Sequence, residues 1–137
     1  TRRNCKAEKI PLPELIRCDS AKLPFQSNSL DAIHAGAAMH CWPKIHKSLS
    51  EIYRVLKPGG VYFATTIKQA AGSNFKGAAT QQGFSFFESE EEIQKLLKEA
   101  GFDGDGGSQE VRTEGSRCFV IKAKKTKESE ILTIPVN

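Results

Sequence analysis

The residues with the clearest potential for ligand binding directly follow short apolar runs of the sequence. They form three pairs: Asp19 with Ser20, Gly36 with Ala37, and Thr66 with Ile67. In an open parallel sheet, ligands bind in the crevice outside the carboxyl ends of the strands. If each apolar run is a strand, these pairs are candidate ligand contacts.

Two of these positions suit a ligand that carries a purine ring or that must approach the main chain closely. The carboxylate of Asp19 can accept a hydrogen bond from an exocyclic amine such as that of adenine, and the backbone N–H of Ser20 can donate to a ring nitrogen. Gly36 has no side chain, so a ligand can reach the backbone there. The alternatives are structural: Asp19 caps a short turn, or Gly36 meets a packing requirement.

The histidines and cysteines argue against a metal site. His34, His40 and His46 stand six residues apart, a spacing that matches neither one face of a helix nor a zinc finger. No Cys-x-x-Cys pair occurs among the four cysteines, which are Cys5, Cys18, Cys41 and Cys118. We therefore predict no bound metal, and reduced, structural cysteines in a reducing compartment.

The hydrophobic pattern predicts the elements that position these residues. Residues 30–36 are mostly small or apolar at both sets of alternating positions, which is typical of a parallel strand covered on both faces. Residues 61–67 are β-branched and aromatic and predict a second buried strand. Between them, an apolar stripe at helical spacing predicts an amphipathic helix, formed by Ile45, Leu49, Ile52, Tyr53 and Leu56.

Both ends of that helix carry local signals. Ser48 and Glu51 have the spacing of a capping box, so the regular helix is predicted to begin near Ser48. Residues 57–60 read Lys-Pro-Gly-Gly, which places a cation near the negative end of the helix dipole and then ends the helix. Arg54 and Lys57 are therefore interpreted as an ion-pair residue and a dipole cap, not as catalytic groups.

The remaining elements are predicted to complete an α/β sheet with helices on both faces. Ser89 and Glu92 form a second capping box, and the helix that follows ends at Gly101. Strands at 109–113 and 117–124 are close enough in sequence to pair as an antiparallel hairpin. The aromatic segment 68–87 is predicted to be a loop or lid, and residues 126–137 a tail.

The apolar run at 14–18 is short and ends at Asp19, so we predict a short strand there.

Composition excludes several classes of protein. With 137 residues, of which 39% are hydrophobic and 26% charged, the chain has the composition of a globular domain and not of a disordered one. No apolar run approaches the roughly 18–20 residues of a membrane-spanning helix, so we predict a soluble protein. The net charge of +4 is weak evidence for nucleic-acid binding, which we do not predict.

Four motifs in order carry a resemblance to a known family. They are DSAKLPF at 19–25, LDAI at 30–33, HCWP at 40–43 and EIYRVLKPGG at 51–60. This string, within residues 15–67, closely resembles the second half of class I S-adenosylmethionine-dependent methyltransferases, particularly those similar to ubiquinone and menaquinone biosynthesis methyltransferases. The HCWP variant looks like the plant and photosynthetic branch of that group, which suggests a plastid as readily as the cytoplasm.

The resemblance implies a Rossmann-like sheet, parallel with an antiparallel carboxyl-terminal hairpin, in which residues 1–125 form the carboxyl-terminal part of a methyltransferase domain. By that resemblance, Asp19 meets the adenine amine of S-adenosylmethionine and Ser20 supplies a backbone contact to the ring. Gly36, with Ala37 beside it, offers its carbonyl to the methionyl amino group. Residues 37–42, including His40 and Trp42, match the segment that runs towards the methyl acceptor.

The family also carries a glycine-rich loop and an acidic residue on two earlier strands, and no Gly-x-Gly-x-Gly precedes residue 59 here. We therefore expect the amino-terminal strands to be missing from this chain and the 137 residues alone to be inactive. In the resembled fold, two of those strands separate the run at 14–18 from residues 30–36. Because an unpaired strand exposes backbone donors and acceptors, we expect 14–18 to be irregular, paired with another chain, or shifted against residues 30–36. The resemblance implies a small metabolite as acceptor, and the phenylalanines of 68–87 favour an apolar one. The alternative is a non-catalytic module that binds a partner through that segment.

His40 is the candidate general base, since an oxygen or weakly acidic carbon acceptor needs a proton removed and an imidazole titrates near neutral pH. The alternative is that His40 is a helix-entry residue packed against Trp42.

Overall fold

The computed structural model describes residues 11–69, 83–103 and 107–126. The helices are a 3₁₀ turn at Met39–Cys41, α1 at Ile45–Val55 and α2 at Glu90–Glu99. The strands are β1 at Leu30–Ala35, β2 at Leu56–Ile67, β3 at Ser108–Glu114 and β4 at Cys118–Lys124. They form one sheet in the order β1-β2-β4-β3.

The sheet pairing confirms the prediction from the sequence. β1 and β2 pair in parallel, with Ile33 opposite Tyr62 and Ala35 opposite Ala64. β4 runs antiparallel to β2 and to β3, which lies at the edge of the sheet. An α/β sheet with one parallel pair and an antiparallel hairpin results, which is the predicted fold class.

Helix α1 forms where its apolar stripe predicted it, but the predicted capping box at its start is wrong. The helix begins at Ile45, and Ser48 lies inside it with no capping bond. Instead, the Oγ atom of buried Ser48 lies 2.9 Å from that of Ser20. At the other end, β2 starts at Leu56, and residues 57–60 bulge out of its register with β1.

Helix α2 is capped as its sequence predicts. The Ser89 Oγ accepts a hydrogen bond from the backbone N–H of Glu92, and the Glu92 carboxylate accepts one from the N–H of Glu88. After the helix, Gly101 has a φ of +108°, which favours glycine. Its Cα faces the Tyr53 ring so closely that a Cβ would lie 3.1 Å from it.

Both helices of the described residues pack on one face of the sheet, which differs from the prediction of helices on both faces. The core lies between this face and the helices, and includes Leu49, Tyr62, Ile93, Phe119 and Ile121. Phe63 and Ile67 point to the opposite face and are 41% and 40% exposed. β1 is consequently not buried on both sides as predicted, because Ala32 and His34 on that opposite face are exposed.

Residues 11–18 form no helix or strand and are exposed, Leu15 to 65%. The interpretation of 14–18 as a strand is therefore wrong, and the expectation that it is irregular is confirmed. Residues 70–82 of the predicted lid, and the predicted tail beyond Thr126, lie outside the described residues. Within the described ranges, no helix combines the length and the apolar composition that crossing a bilayer requires.

Candidate functional site

The carboxyl end of β1 turns sharply at Gly36 and Ala37, and both residues are exposed. Ala37 has a φ of +48°, a left-handed conformation that costs a non-glycine residue roughly 1–2 kcal/mol. The backbone N–H of Ala37 donates to the Oγ1 atom of Thr65 at 2.9 Å, at the carboxyl end of the neighbouring strand β2. The turn is thus held in a strained shape by one side-chain hydrogen bond.

His40 lies in the 3₁₀ turn that follows and is only 8% exposed. Its Nδ1 atom is 3.4 Å from the Oγ1 atom of Thr66, and its ring stacks on that of Phe86 with 6.1 Å between centroids. Its backbone carbonyl accepts a hydrogen bond from the N–H of Ser85. Burial lowers the pKa of His40 below the ordinary value of 6.5, so the imidazole is neutral at pH 7.

Asp19 and Ser20 form a tight turn that lies against helix α1. One carboxylate oxygen of Asp19 accepts a hydrogen bond from the N–H of Ala21, and the Asp19 carbonyl accepts one from the N–H of Lys22. The side chain therefore caps its own turn, as the structural alternative proposed. Asp19 remains exposed, so its carboxylate is also accessible to a ligand.

The loop after this turn is attached to α1 by Glu51 and Arg54. Arg54 donates from Nε and Nη2 to both oxygens of the Glu51 carboxylate, and it also donates to the carbonyls of Leu23 and Phe25. The second Glu51 oxygen accepts a hydrogen bond from the N–H of Leu23. The hydrogen bond from Arg54 lowers the pKa of Glu51. This geometry confirms Arg54 as an ion-pair residue that positions the loop.

Trp42 is half-buried and packs against the core beside the 3₁₀ turn. Near it, a shallow groove of about 320 Å³ lies between α1, α2 and residues 85–87. Its apolar lining includes Ile45, Phe86 and Leu96. Phe86 lines this groove and its ring also stacks on that of His40, so the apolar groove and His40 share one side chain.

The structure brings three of the predicted site residues to one edge of the sheet. Gly36, Ala37 and His40 lie at the carboxyl ends of β1 and β2, whereas the Ser20 hydroxyl attaches the turn of Asp19 and Ser20 to α1. Thr66 lies within β2 and not after it as predicted, and its neighbour Thr65 is a site contact that was not predicted. Adjacent threonines at the end of a predicted strand were the available signal, since adjacent side chains point to opposite faces.

No group of three or more metal-ligating side chains occurs within the described parts of the chain. Cys18, Cys41 and Cys118 are free thiols there. Cys5 lies outside the described residues.

A family model described as a methyltransferase domain matches residues 1–64. An uncharacterized chloroplastic methyltransferase of Arabidopsis thaliana is 56% identical over 64 residues, which are 44% of this chain and 18% of the relative. The phthiotriol/phenolphthiotriol dimycocerosates methyltransferase of Mycobacterium tuberculosis is 37% identical over 57 residues, which are 42% of this chain and 21% of that protein. The matched region thus spans about a fifth of each relative.

Solved structures share the fold over more of the chain. An S-adenosylmethionine-dependent methyltransferase from Aquifex aeolicus has a TM-score of 0.63 at 21% identity, covering 89% of this chain and 60% of that one. The [4+2]-cyclase SpnF has a TM-score of 0.70 at 17% identity, covering 92% and 62%. At this level of identity the similarity shows the fold alone. Together, the family match over residues 1–64, the relatives and the shared sheet show that this chain is similar to class I S-adenosylmethionine-dependent methyltransferases.

Proposed function

We propose that this chain forms part of an enzyme that transfers a methyl group from S-adenosylmethionine, the cofactor of its family, to a small metabolite. The observation that carries the proposal is the exposed Gly36–Ala37 turn at the carboxyl end of a parallel strand, where Gly36 has no side chain and Ala37 has a strained backbone. Backbone strain concentrates at ligand sites, because a ligand-binding geometry is held there at the expense of local stability.

The residues present fit the donor. At Gly36, a Cβ atom would meet only the His34 ring, at 3.3 Å, and would otherwise project from the exposed turn. The absence of a side chain is therefore not required by packing there, which favours the ligand explanation for this glycine over the structural one. Asp19 offers an exposed carboxylate to an adenine amine while its turn is held by the bonds to Ala21 and Lys22.

In this proposal, the chain's own residues hold and orient the reactants. Asp19 and Ser20 would hold the adenine ring, and Gly36 with Ala37 would hold the methionyl group. When bound, the donor supplies a methyl group on a sulfonium, so the protein needs to provide position and orientation more than reactive groups. His40 and Trp42 would contact the methyl acceptor.

The surroundings of His40 support an acceptor with an apolar part. Its ring stacks on Phe86, and Phe84 lies 6.3 Å from Phe86, ring centre to ring centre. The groove beyond Phe86 continues this apolar lining. The chloroplastic name of the Arabidopsis relative supports a plastid as the compartment.

We propose further that these 137 residues are inactive alone, because they contain no glycine-rich donor loop at the position the family requires. Titration calorimetry tests this with S-adenosylmethionine, using the 137-residue chain and one extended upstream of Thr1 to include such a loop. We expect the extended chain to bind and the shorter one to bind at least tenfold more weakly, a difference of about 1.4 kcal/mol or more. Equal affinities would refute the partial-site proposal.

The second candidate is a non-catalytic module with this fold. The apolar groove lined by Phe86, which belongs to the 68–87 segment, is the surface that such a module would offer a partner. If the extended chain also fails to bind the donor, this second candidate replaces the first.

A further inference from the structure

The imidazole of His40 is covered on two of its sides. The Thr66 hydroxyl occupies the Nδ1 edge at 3.4 Å, and Phe86 covers one ring face at an interplanar angle of 24°. The residue as a whole is 8% exposed. Among the described residues Nε2 has no hydrogen-bond partner, so it is the ring nitrogen to which a ligand could bond.

The direction of the hydrogen bond between Thr66 and His40 decides what the Nε2 atom can do. A neutral imidazole has one N–H and one lone pair, so a proton on Nδ1 leaves a basic Nε2, and a lone pair on Nδ1 leaves an Nε2–H donor. Burial favours the neutral ring in this protein.

The burial of Thr66 distinguishes the two directions. Thr66 is 1% exposed, and within the described residues the recorded partner of its hydroxyl is His40 Nδ1. If Nδ1–H donated to the hydroxyl oxygen, the hydroxyl proton would need a second acceptor, and a buried donor left unpaired costs about 1–3 kcal/mol. If the hydroxyl donates to Nδ1, the hydroxyl proton and the Nδ1 lone pair are both paired, and the Nε2–H is the donor left for a ligand.

We propose that Thr66 is a positioning residue that holds His40 in the tautomer protonated at Nε2, so that His40 donates a hydrogen bond to an oxygen atom of the methyl acceptor. This role differs from the general base that the sequence suggested. It selects acceptors that present an oxygen lone pair, such as a carbonyl, phenolate or ether oxygen, towards His40. The identity of the ligand rests on the proposed function, whereas the tautomer does not.

Nitrogen-15 NMR of the 137-residue chain tests the tautomer directly, because protonated and unprotonated ring nitrogens have distinct shifts and distinct couplings to the ring protons. The chain has three histidines, and His40→Asn assigns the His40 signals by their loss. At pH 7 we expect a protonated Nε2, and an unprotonated Nδ1 whose shift is displaced by the hydrogen bond it accepts.

Two variants then test the role of Thr66. Thr66→Val keeps the shape of the side chain and removes the hydroxyl, so the Nδ1 resonance should move towards that of a nitrogen without a hydrogen bond. Thr66→Ser should restore the wild-type shift, which a purely structural effect of the valine would not predict. A wild-type ring protonated at Nδ1, or a Thr66→Val spectrum identical to wild type, would overturn the proposal.

This readout separates the two proposals. A ring protonated at Nε2 that depends on Thr66, in a protein whose extended form does not bind S-adenosylmethionine, would leave the tautomer standing and remove the proposed function.

Discussion

The amino and carboxyl ends of strands β1 and β2, here named the amino edge and the carboxyl edge of the sheet, are stabilised by different contacts. At the amino edge of β1 and β2, the Lys125 ammonium donates to the carbonyls of Tyr53 and Leu56 and to the Asn28 side chain at 2.8–2.9 Å, and it lies 4.5 Å from the centre of the Tyr53 ring. At the carboxyl edge, the Gly36–Ala37 turn and the His40 ring are each held by a single threonine side-chain hydrogen bond, at 2.9 and 3.4 Å.

The contacts at the amino edge stabilise the fold, whereas the carboxyl edge is the one available for binding. Lys125 places a positive charge at the carboxyl end of α1, where the orphan carbonyls and the helix dipole favour a cation. The predicted cap, Lys57, instead pairs with Asp31 at 2.8 Å. The amino edge thus satisfies its polar groups internally, whereas the carboxyl edge keeps a strained, exposed turn that a ligand can contact.

The largest effect that we expect comes from Gly60→Ala at the amino edge. A Cβ atom there would lie 2.8 Å from the Lys57 carbonyl oxygen and 3.1 Å from that of Asp31. Because both are backbone atoms, the main chain itself would have to move to relieve these contacts. We expect a loss of at least about 2 kcal/mol in the free energy of unfolding, measured by urea denaturation.

Gly36→Ala is the matched change at the carboxyl edge. Its Cβ would meet only a side chain, so we expect unfolding to change by no more than about 0.5 kcal/mol. In the extended chain, the same variant should weaken donor binding about tenfold. Similar losses of stability for the two alanines would contradict the difference between the edges.

Lys125→Met should have the next largest effect, because it keeps most of the side-chain volume and removes the charge that caps α1. Losing these charge-assisted hydrogen bonds at a partly exposed site should lower the free energy of unfolding by about 1–2 kcal/mol. Lys122→Met, at an exposed position of β4, which ends just before Lys125, is the control and should change stability by less than about 0.5 kcal/mol. Equal melting temperatures for the two variants would show that Lys125 does not stabilise the carboxyl end of α1.

The smallest effect that we expect concerns the free energy of unfolding at acid pH. Arg54 lowers the pKa of Glu51 in the folded chain below its ordinary value of 4.5, so at acid pH the unfolded chain binds the proton first. The stability that this pair contributes is present above pH 4.5 and is lost as the pH falls through the lowered pKa. Glu51→Gln should therefore be less stable than wild type at pH 7, and the two curves should converge at low pH. A constant difference from pH 7 to pH 3 would exclude the linkage.

Local sequence signals predicted most of the framework. The apolar stripe of α1, the Ser89 cap of α2 and the two strands of the hairpin are each encoded within about ten residues, where periodicity and capping operate. The motifs at 19–60 resemble those of the same class of methyltransferases that the family model and the relatives match. Burial of β1 on both faces was predicted wrongly, because small apolar residues show that a strand can be covered but not that an element covers it.

The site contacts could only be decided by the tertiary structure, because they join residues that the sequence separates. Thr65 meets the N–H of Ala37 across 28 positions, Thr66 meets His40 across 26, and Lys125 meets the Tyr53 carbonyl across 72. Nothing near Lys125 in sequence distinguishes it from the lysines around it. Its role arises because the antiparallel pairing of β4 with β2 returns the chain to the end of α1, and it is this pairing that turns one lysine of a basic run into a helix cap.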